Sequence, residues 1–118
     1  MEGQKKVRGD FFCSYNNIAT LEGIPEQIEG IFELFSNKLT NLKDIHRHIK
    51  FIGKFANFDK NPIKSHVVGL LLIDGLEKIS MSNKEVQTIL NKYLQSNKDV
   101  FACIDELEEA GFSQFAKI

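Results

Sequence analysis

The chain has 118 residues, a length that suits a single domain. Its 15 lysines and arginines against 16 aspartates and glutamates give a formal net charge of −1. Its 42% hydrophobic and 26% charged residues exclude a disordered chain, and the lack of net positive charge argues against a sequence-independent nucleic-acid binder. The longest apolar run, residues 67–73, is far shorter than the roughly 20 residues of a membrane span.

A repeat of 21 residues occupies residues 9–50 without a gap. The first copy reads GDFFCSYNNIATLEGIPEQIE and the second reads GIFELFSNKLTNLKDIHRHIK. The aligned pairs are Gly9 and Gly30, Phe11 and Phe32, Cys13 and Leu34, Asn16 and Asn37, Ile18 and Leu39, Leu21 and Leu42, Ile24 and Ile45, and Ile28 and Ile49. A third copy, with a small insertion, is expected at Ala56–Ile63, and a degenerate fourth at Leu76–Met81.

Each copy predicts a short strand followed by a sharp turn. Because side chains alternate along a strand, one set points into the core. That set is Phe11, Cys13, Phe32, Leu34, Ala56 and Phe58. The repeated Asn16, Asn37 and Asn61 are interpreted as structural, since a buried amide both donates to and accepts from turn backbone that has no strand partner.

These copies resemble the leucine-rich repeat, whose pattern LxxLxLxxNxL recurs at roughly 20–29 residues. They are more specifically similar to short repeats in uncharacterised proteins of tailed bacteriophages and bacteria, which read approximately GDFxCSxNxLTSLEGxP. The matching segments are GDFFCSYNN at 9–17, LEGIP at 21–25 and KLTNL at 38–42. The second copy departs from that pattern, with Leu34 in place of Cys13 and His46 in place of Pro25. The resemblance covers residues 8–81 and implies a binding protein without catalytic residues, for example a phage accessory protein that binds and modulates a host protein.

The predicted fold class is α+β: a short leucine-rich-repeat-like solenoid of three to four turns with a C-terminal helical cap. Residues 1–63 are assigned to the repeat array. Residues 64–118 are assigned to a degenerate last repeat and a helical capping subdomain, within one compact unit. Such a cap is expected because the end of a repeat array exposes apolar surface.

Three helical segments are predicted in the second half. Ser65 is the expected N-cap of a helix that runs to about Ile73. Residues 82–85 (SNKE) have the S-x-x-E form of a capping box before a second helix. A third helix is expected from Asp99 to about Ala110, ended by Gly111. Its acidic residues are interpreted as a solvated face rather than a metal site: Asp105, Glu106, Glu108 and Glu109.

Catalytic and metal motifs are absent from the sequence. A metal site would have to combine His46, His48 and His66 with Asp44 or Asp59, and no HExxH or CxxC motif supports one. The enzyme alternative would be supported if these histidines met one of the carboxylates in a pocket. We therefore predict a protein that is not an enzyme and that needs no cofactor or metal.

The cysteines and the first ten residues indicate where the protein resides. Cys13 is interpreted as a small buried hydrophobe rather than a nucleophile, because Leu34 fills the same position in the next copy. Cys13 and Cys103 form no CxxC pair, which favours a reduced setting. Residues 1–10 are polar and contain no secretory signal, so we predict a cytoplasmic location, the host cytoplasm if the chain is phage-encoded.

Outward side chains of successive copies are expected to stack into columns across the sheet. The columns are Phe12, Glu33, Asn57 and Ser80; Ser14, Phe35, Asp59 and Ser82; and Tyr15, Ser36 and Lys60. Clustered aromatic side chains on a sheet face often mark an interface. The predicted partner-binding residues are Phe12, Tyr15, Glu33, Phe35, Asn57, Asp59 and Lys60. A one-residue slip in register would move these side chains to the core.

Three kinds of partner remain open for this face. The first is another protein, such as a bacterial host protein. The second is a further copy of the chain, bound through the aromatic residues or through the unpaired N-terminal strand edge. The third is a small ligand or a single nucleic-acid strand stacked on the aromatic rings, and the lack of positive charge disfavours the nucleic acid.

Overall fold

A computed structural model describes residues 6–118. Its strands and helices, in chain order, are β1 (Lys6–Val7), β2 (Phe11–Phe12), β3 (Gln27–Ile28), β4 (Phe32–Glu33), α1 (Ile45–His48), β5 (Phe51–Ile52), β6 (Phe55–Asn57), a 3-10 helix (Val68–Leu72), β7 (Lys78–Ser80), α2 (Lys84–Leu94) and α3 (Val100–Glu109). The strands are short because each runs only until the chain turns to the next side of the core.

The strands form two parallel sheets. One has the order β1-β3-β5 and the other the order β2-β4-β6-β7. In the four-stranded sheet Phe11 pairs with Phe32, and Phe32 pairs with Ala56. The pairing that the sequence repeat predicts between its copies is therefore confirmed.

The predicted α+β fold class, with its leucine-rich-repeat-like solenoid and helical cap, is wrong. Two parallel sheets of three and four strands with helices beside them form a compact α/β fold. The prediction assigned one strand to each copy, whereas residues 6–7, 27–28 and 51–52 build a second sheet on the opposite side of the core. The Cα radius of gyration is 13.2 Å, close to the value of about 13 Å for a compact domain of about 100 residues.

The core lies between the two sheets and continues under the helices. Ile28 and Ile52 enter it from the three-stranded sheet, and Phe32, Ala56 and Phe58 enter it from the strands of the other sheet and their ends. All five are fully buried, and so is Leu34, so the predicted inward set is correct for the second and third copies. Phe11 and Cys13 are only half-buried because they lie in and directly after β2, the outermost strand of the described residues. The division of the chain at residues 63 and 64 stays a prediction, and its first five residues lie outside the described part.

The predicted role of a buried asparagine that satisfies turn backbone is confirmed for Asn37 and Asn61, whereas Asn16 is exposed. Asn37 Oδ1 accepts from the backbone N–H groups of Asn16 and Ile18, both at 2.9 Å, and its Nδ2 donates to the Cys13 carbonyl at 2.9 Å. Asn61 repeats this pattern one copy later, accepting from Leu39 N–H at 3.1 Å. Both asparagine side chains are buried, and their bonds satisfy partly or fully buried backbone groups of the preceding copy.

Two of the three predicted helices begin close to where the sequence indicates. The side chain of Asn83, rather than Ser82, caps α2 by accepting from Val86 N–H at 3.1 Å. Asp99 caps α3 by accepting from Ala102 N–H at 3.0 Å. The helix expected from Ser65 is instead a short 3-10 helix, Val68–Leu72, without a side-chain cap.

The end of α3 follows the predicted glycine signal. Gly111 has a φ of +90°, which glycine adopts without the steric cost of a Cβ atom. Phe112 N–H donates to the Leu107 carbonyl at 2.8 Å, and Gly111 N–H donates to the Glu108 carbonyl at 3.1 Å. This is the Schellman arrangement, and it folds Phe112 back against the helix, where its ring lies 5.9 Å from that of Phe115.

The two edge strands of the four-stranded sheet, β7 and β2, differ in how they are covered. At β7, helix α2 covers the edge: Asn91 Oδ1 accepts from Ile79 N–H at 2.8 Å, and Asn91 Nδ2 donates to the Ile79 carbonyl at 3.0 Å. At the other end, β2 is the last strand, with no further strand among residues 6–118. Within that same range, no helix is long and apolar enough to cross a membrane.

Cys103 is expected to be protected from thiol reagents in the native protein. Its side chain is fully buried, and this burial, reinforced by the charge of Glu106, raises the pKa of the thiol to about 11. At pH 8 only about one molecule in a thousand would carry the reactive thiolate. Titration with a disulfide reagent should modify Cys13, which is half-buried, and leave Cys103 unmodified until the protein unfolds.

A Cys13→Ser variant provides the control for this labelling. It should show no rapidly reacting thiol under native conditions and one reacting thiol in denaturant. Equal labelling rates for the two cysteines in the native wild type would contradict the packing described for α3.

Candidate functional site

The outer face of the four-stranded sheet collects the residues predicted to bind a partner. The register pairs Phe12 with Glu33, Glu33 with Asn57, and Asn57 with Ser80. Backbone hydrogen bonds extend the same order beyond the strands, from Tyr15 N–H to the Phe35 carbonyl at 3.1 Å and from Ser36 N–H to the Asp59 carbonyl at 2.9 Å. The register therefore agrees with the predicted columns and does not slip, although Ser14 is an exception.

Phe12, Tyr15 and Phe35 form what we call the aromatic patch. Phe12 is 67% exposed and Tyr15 is 73% exposed, although both carry large apolar surfaces. The Tyr15 ring meets the half-buried Phe35 ring nearly edge-on, with centroids 5.5 Å apart and planes at 72°. The Lys60 ammonium lies 5.6 Å from the centre of the Phe35 ring, within the range of a cation–π contact.

The turns after the strands hold Tyr15 and Lys60 in place. Tyr15, Ser36 and Lys60 occupy equivalent positions in the three copies, and each has a φ of 59°. Residues other than glycine, asparagine and aspartate rarely adopt this left-handed conformation, because the Cβ atom approaches the backbone closely. The asparagine that follows, at 16, 37 and 61, donates to a carbonyl two or three residues before it and keeps the turn closed.

The polar residues predicted for the face are held within a network. Asn57 Nδ2 donates to Glu33 Oε2 at 3.3 Å, and Asn57 Oδ1 accepts from the Asp59 N–H at 2.9 Å. The Asp59 carboxylate accepts from the Ser80 hydroxyl at 2.8 Å and pairs with Lys84 at 3.1 Å. Glu33, Asn57 and Asp59 are thus ordered by the sheet itself, and Lys84 is a neighbour that the sequence pattern did not indicate.

Ser14 differs from the expectation for its column. Its residue is half-buried, and its hydroxyl oxygen is buried without a hydrogen-bond partner in the described chain. The turn through Tyr15 brings the Ser14 side chain under the surface rather than onto it. The outward column therefore begins at Phe35 and not at Ser14.

A groove on the same face was missed by the sequence analysis. Its volume is about 450 Å³, and its lining consists of Ile31, Lys54, Phe55, Glu77, Lys78 and Gln95. Ile31 and Phe55 lie two residues before Glu33 and Asn57, so strand alternation places them on the outer face. This alternation could have indicated from the sequence that Ile31 and Phe55 belong to the outer face. The contribution of Gln95, at the end of α2, depends on tertiary packing that no local pattern shows.

The three histidines do not build a metal site. His66 Nδ1 lies 2.9 Å from the Ser65 hydroxyl, and His46 Nδ1 is buried beside Gly69. Across residues 6–118 no group of three or more His, Cys, Asp or Glu side chains is arranged to hold a metal ion.

Comparison with known proteins found no matching family model, curated protein or solved structure.

Proposed function

We propose that this protein is a non-catalytic protein-binding protein that docks its partner on the aromatic patch. The observation that carries the proposal is the exposure of Phe12 and Tyr15, at 67% and 73%, on an ordered sheet face. Leaving two aromatic rings in water forgoes the burial of a large apolar surface. A partner that covers these rings would gain the free energy of burying that apolar surface.

The surroundings of the aromatic patch support a protein ligand. Aromatic residues at the centre of an interface, ringed by polar groups, are typical of hot spots. Here Glu33 and Asp59 are hydrogen-bonded within the sheet, and Lys60 lies over Phe35. Because these groups are already ordered, binding a partner would cost little side-chain entropy on this side of the interface.

The resemblance to phage repeat proteins adds a concrete version of the proposal. The partner would be a bacterial protein that the chain binds and modulates. A partner search should therefore begin with a bacterial lysate, which supplies folded proteins at natural abundance.

The test is an affinity capture with two variants of the tagged protein. Phe12→Ser combined with Tyr15→Asn removes both exposed rings, and asparagine tolerates the left-handed turn that Tyr15 occupies. Leu72→Ser removes an exposed apolar side chain on the 3-10 helix and serves as the control. A specific partner should be retained by the wild type and by Leu72→Ser, and lost by the double variant.

Two results would count against the proposal. Equal capture by all three proteins would move the interface away from the aromatic patch. Capture of no protein by the wild type, under conditions in which circular dichroism shows it folded, would reject protein binding in that lysate.

A further inference from the structure

The groove and helix α3 carry complementary features that the proposed function does not use. The groove has an apolar floor of Ile31, which is 37% exposed, and Phe55. Helix α3 exposes a lone phenylalanine, Phe101, at 80%, the largest exposure among the large hydrophobic side chains of the described residues. Each is an apolar surface left in water at a defined position of the fold.

The charges around the groove are mainly positive. Lys54 and Lys78 line it, and neither pairs with a carboxylate among residues 6–118. A neighbouring hollow shares Glu77 and Gln95 with the groove and extends to Lys98. The groove and this neighbouring hollow are therefore lined by three lysines and one glutamate, Glu77.

The exposed side of α3 is negative. Phe101, Asp105 and Glu108 follow one another at i, i+4 and i+7, so they lie on one face of the helix. All three are exposed, as is Glu109, and the helix contains no lysine or arginine. The opposite face, with Cys103 and Leu107, is buried in the core.

We propose that the groove binds α3 of a second copy of this chain, with Phe101 seated over Ile31 and Phe55. Asp105 and Glu108 then approach Lys54 and Lys78 of the other copy, which matches negative to positive charge across the contact. Gln95 borders the groove and α3 begins at Val100, so both elements flank the same short connection. In the proposed dimer a two-fold axis makes the contact reciprocal, so that the groove of each copy binds α3 of the other.

The first test measures self-association of the full chain by sedimentation equilibrium. The wild type should form a concentration-dependent dimer, and Phe101→Ser should raise the dimer dissociation constant at least about tenfold through loss of the buried ring. Leu72→Ser should leave that constant unchanged. A wild type that stays monomeric up to its solubility limit, or a dimer that persists in Phe101→Ser, would overturn the proposal.

The second test uses charge reversal on each side of the contact. One variant carries Lys54→Glu and Lys78→Glu, and the other carries Asp105→Lys and Glu108→Lys. Each alone should be monomeric, because its groove and helix carry like charges. An equal mixture should form a 1:1 heterodimer, since each groove then meets a helix of opposite charge.

The remaining controls separate this contact from other surfaces. Lys43→Glu with Lys64→Glu makes the same change in net charge at two exposed positions outside the groove, and should dimerise like the wild type. Absence of a heterodimer in the mixture would overturn the proposal. So would a dimer that is lost in the Phe12→Ser, Tyr15→Asn variant, because self-association would then belong to the aromatic patch. The proposed function is tested separately, by capture of a different protein.

Discussion

Replacing Asn37 by alanine should lower the free energy of unfolding by about 3–4 kcal/mol, measured by urea denaturation. The side chain makes four hydrogen bonds to backbone groups, with Asn16 N–H, Ile18 N–H and the carbonyls of Cys13 and Leu34, at 2.9 to 3.2 Å. Truncation removes the bonds to the Asn16 N–H, the Ile18 N–H and the Cys13 carbonyl, whereas the Leu34 carbonyl still accepts from Asn61 Nδ2 at 2.8 Å. Each unsatisfied buried group costs roughly 1–3 kcal/mol, partly offset where water enters the space.

Asn16→Ala is the matched control for this prediction. Asn16 occupies the equivalent position in the first copy, but it is exposed and donates one backbone bond, to the Ser14 carbonyl at 2.9 Å. Its loss should cost about 1 kcal/mol or less. Equal destabilisation by the two variants would show that the asparagines act within their own turns and not between copies.

Phe32→Ala should destabilise the protein by about 3–5 kcal/mol. Phe32 is fully buried and lies at the centre of an aromatic row, with ring centroids 5.9 Å from Phe11 and 5.8 Å from Phe58. Removing its ring leaves a cavity between the two sheets that rigid parallel strands close poorly. The measurement is again the free energy of unfolding in urea.

Phe12→Ala tests whether this cost comes from burial. Phe12 belongs to the same sheet but is 67% exposed, so its truncation should change stability by no more than about 0.5 kcal/mol. A loss in Phe12→Ala comparable with that in Phe32→Ala would mean that the outer face is packed against something within the chain. In that case the aromatic patch would not be available to a partner.

The repeat predicted the pairing of the four-stranded sheet because it relates residues that are distant in the sequence. Aligning Phe11 with Phe32 states which residues lie side by side, and the register agrees. The same alignment places Phe12 outward and Phe32 inward, as the burial shows. The role of Asn37 also followed from its position, because a sharp turn leaves backbone groups without strand partners.

The repeat did not predict the three-stranded sheet. Each of its strands spans two residues, too few for alternation to distinguish a strand from a loop. The 3-10 helix from Val68 to Leu72 is fully hydrophobic apart from Gly69. This apolar run predicted a helix, but it did not distinguish a 3-10 helix from an α-helix. The Asn91 bonds that close the β7 edge join residues 12 apart through tertiary packing, and no periodic pattern marks them.

The most direct test of the central claim is the affinity of a captured partner for single variants of the aromatic patch. Titration calorimetry should show Phe12→Ser and Tyr15→Asn each weakening binding by about 2 kcal/mol, roughly 30-fold, as expected of hot-spot residues. Leu72→Ser should bind with the affinity of the wild type. Unchanged affinity in both aromatic variants would contradict the assignment of the outer sheet face as the binding surface.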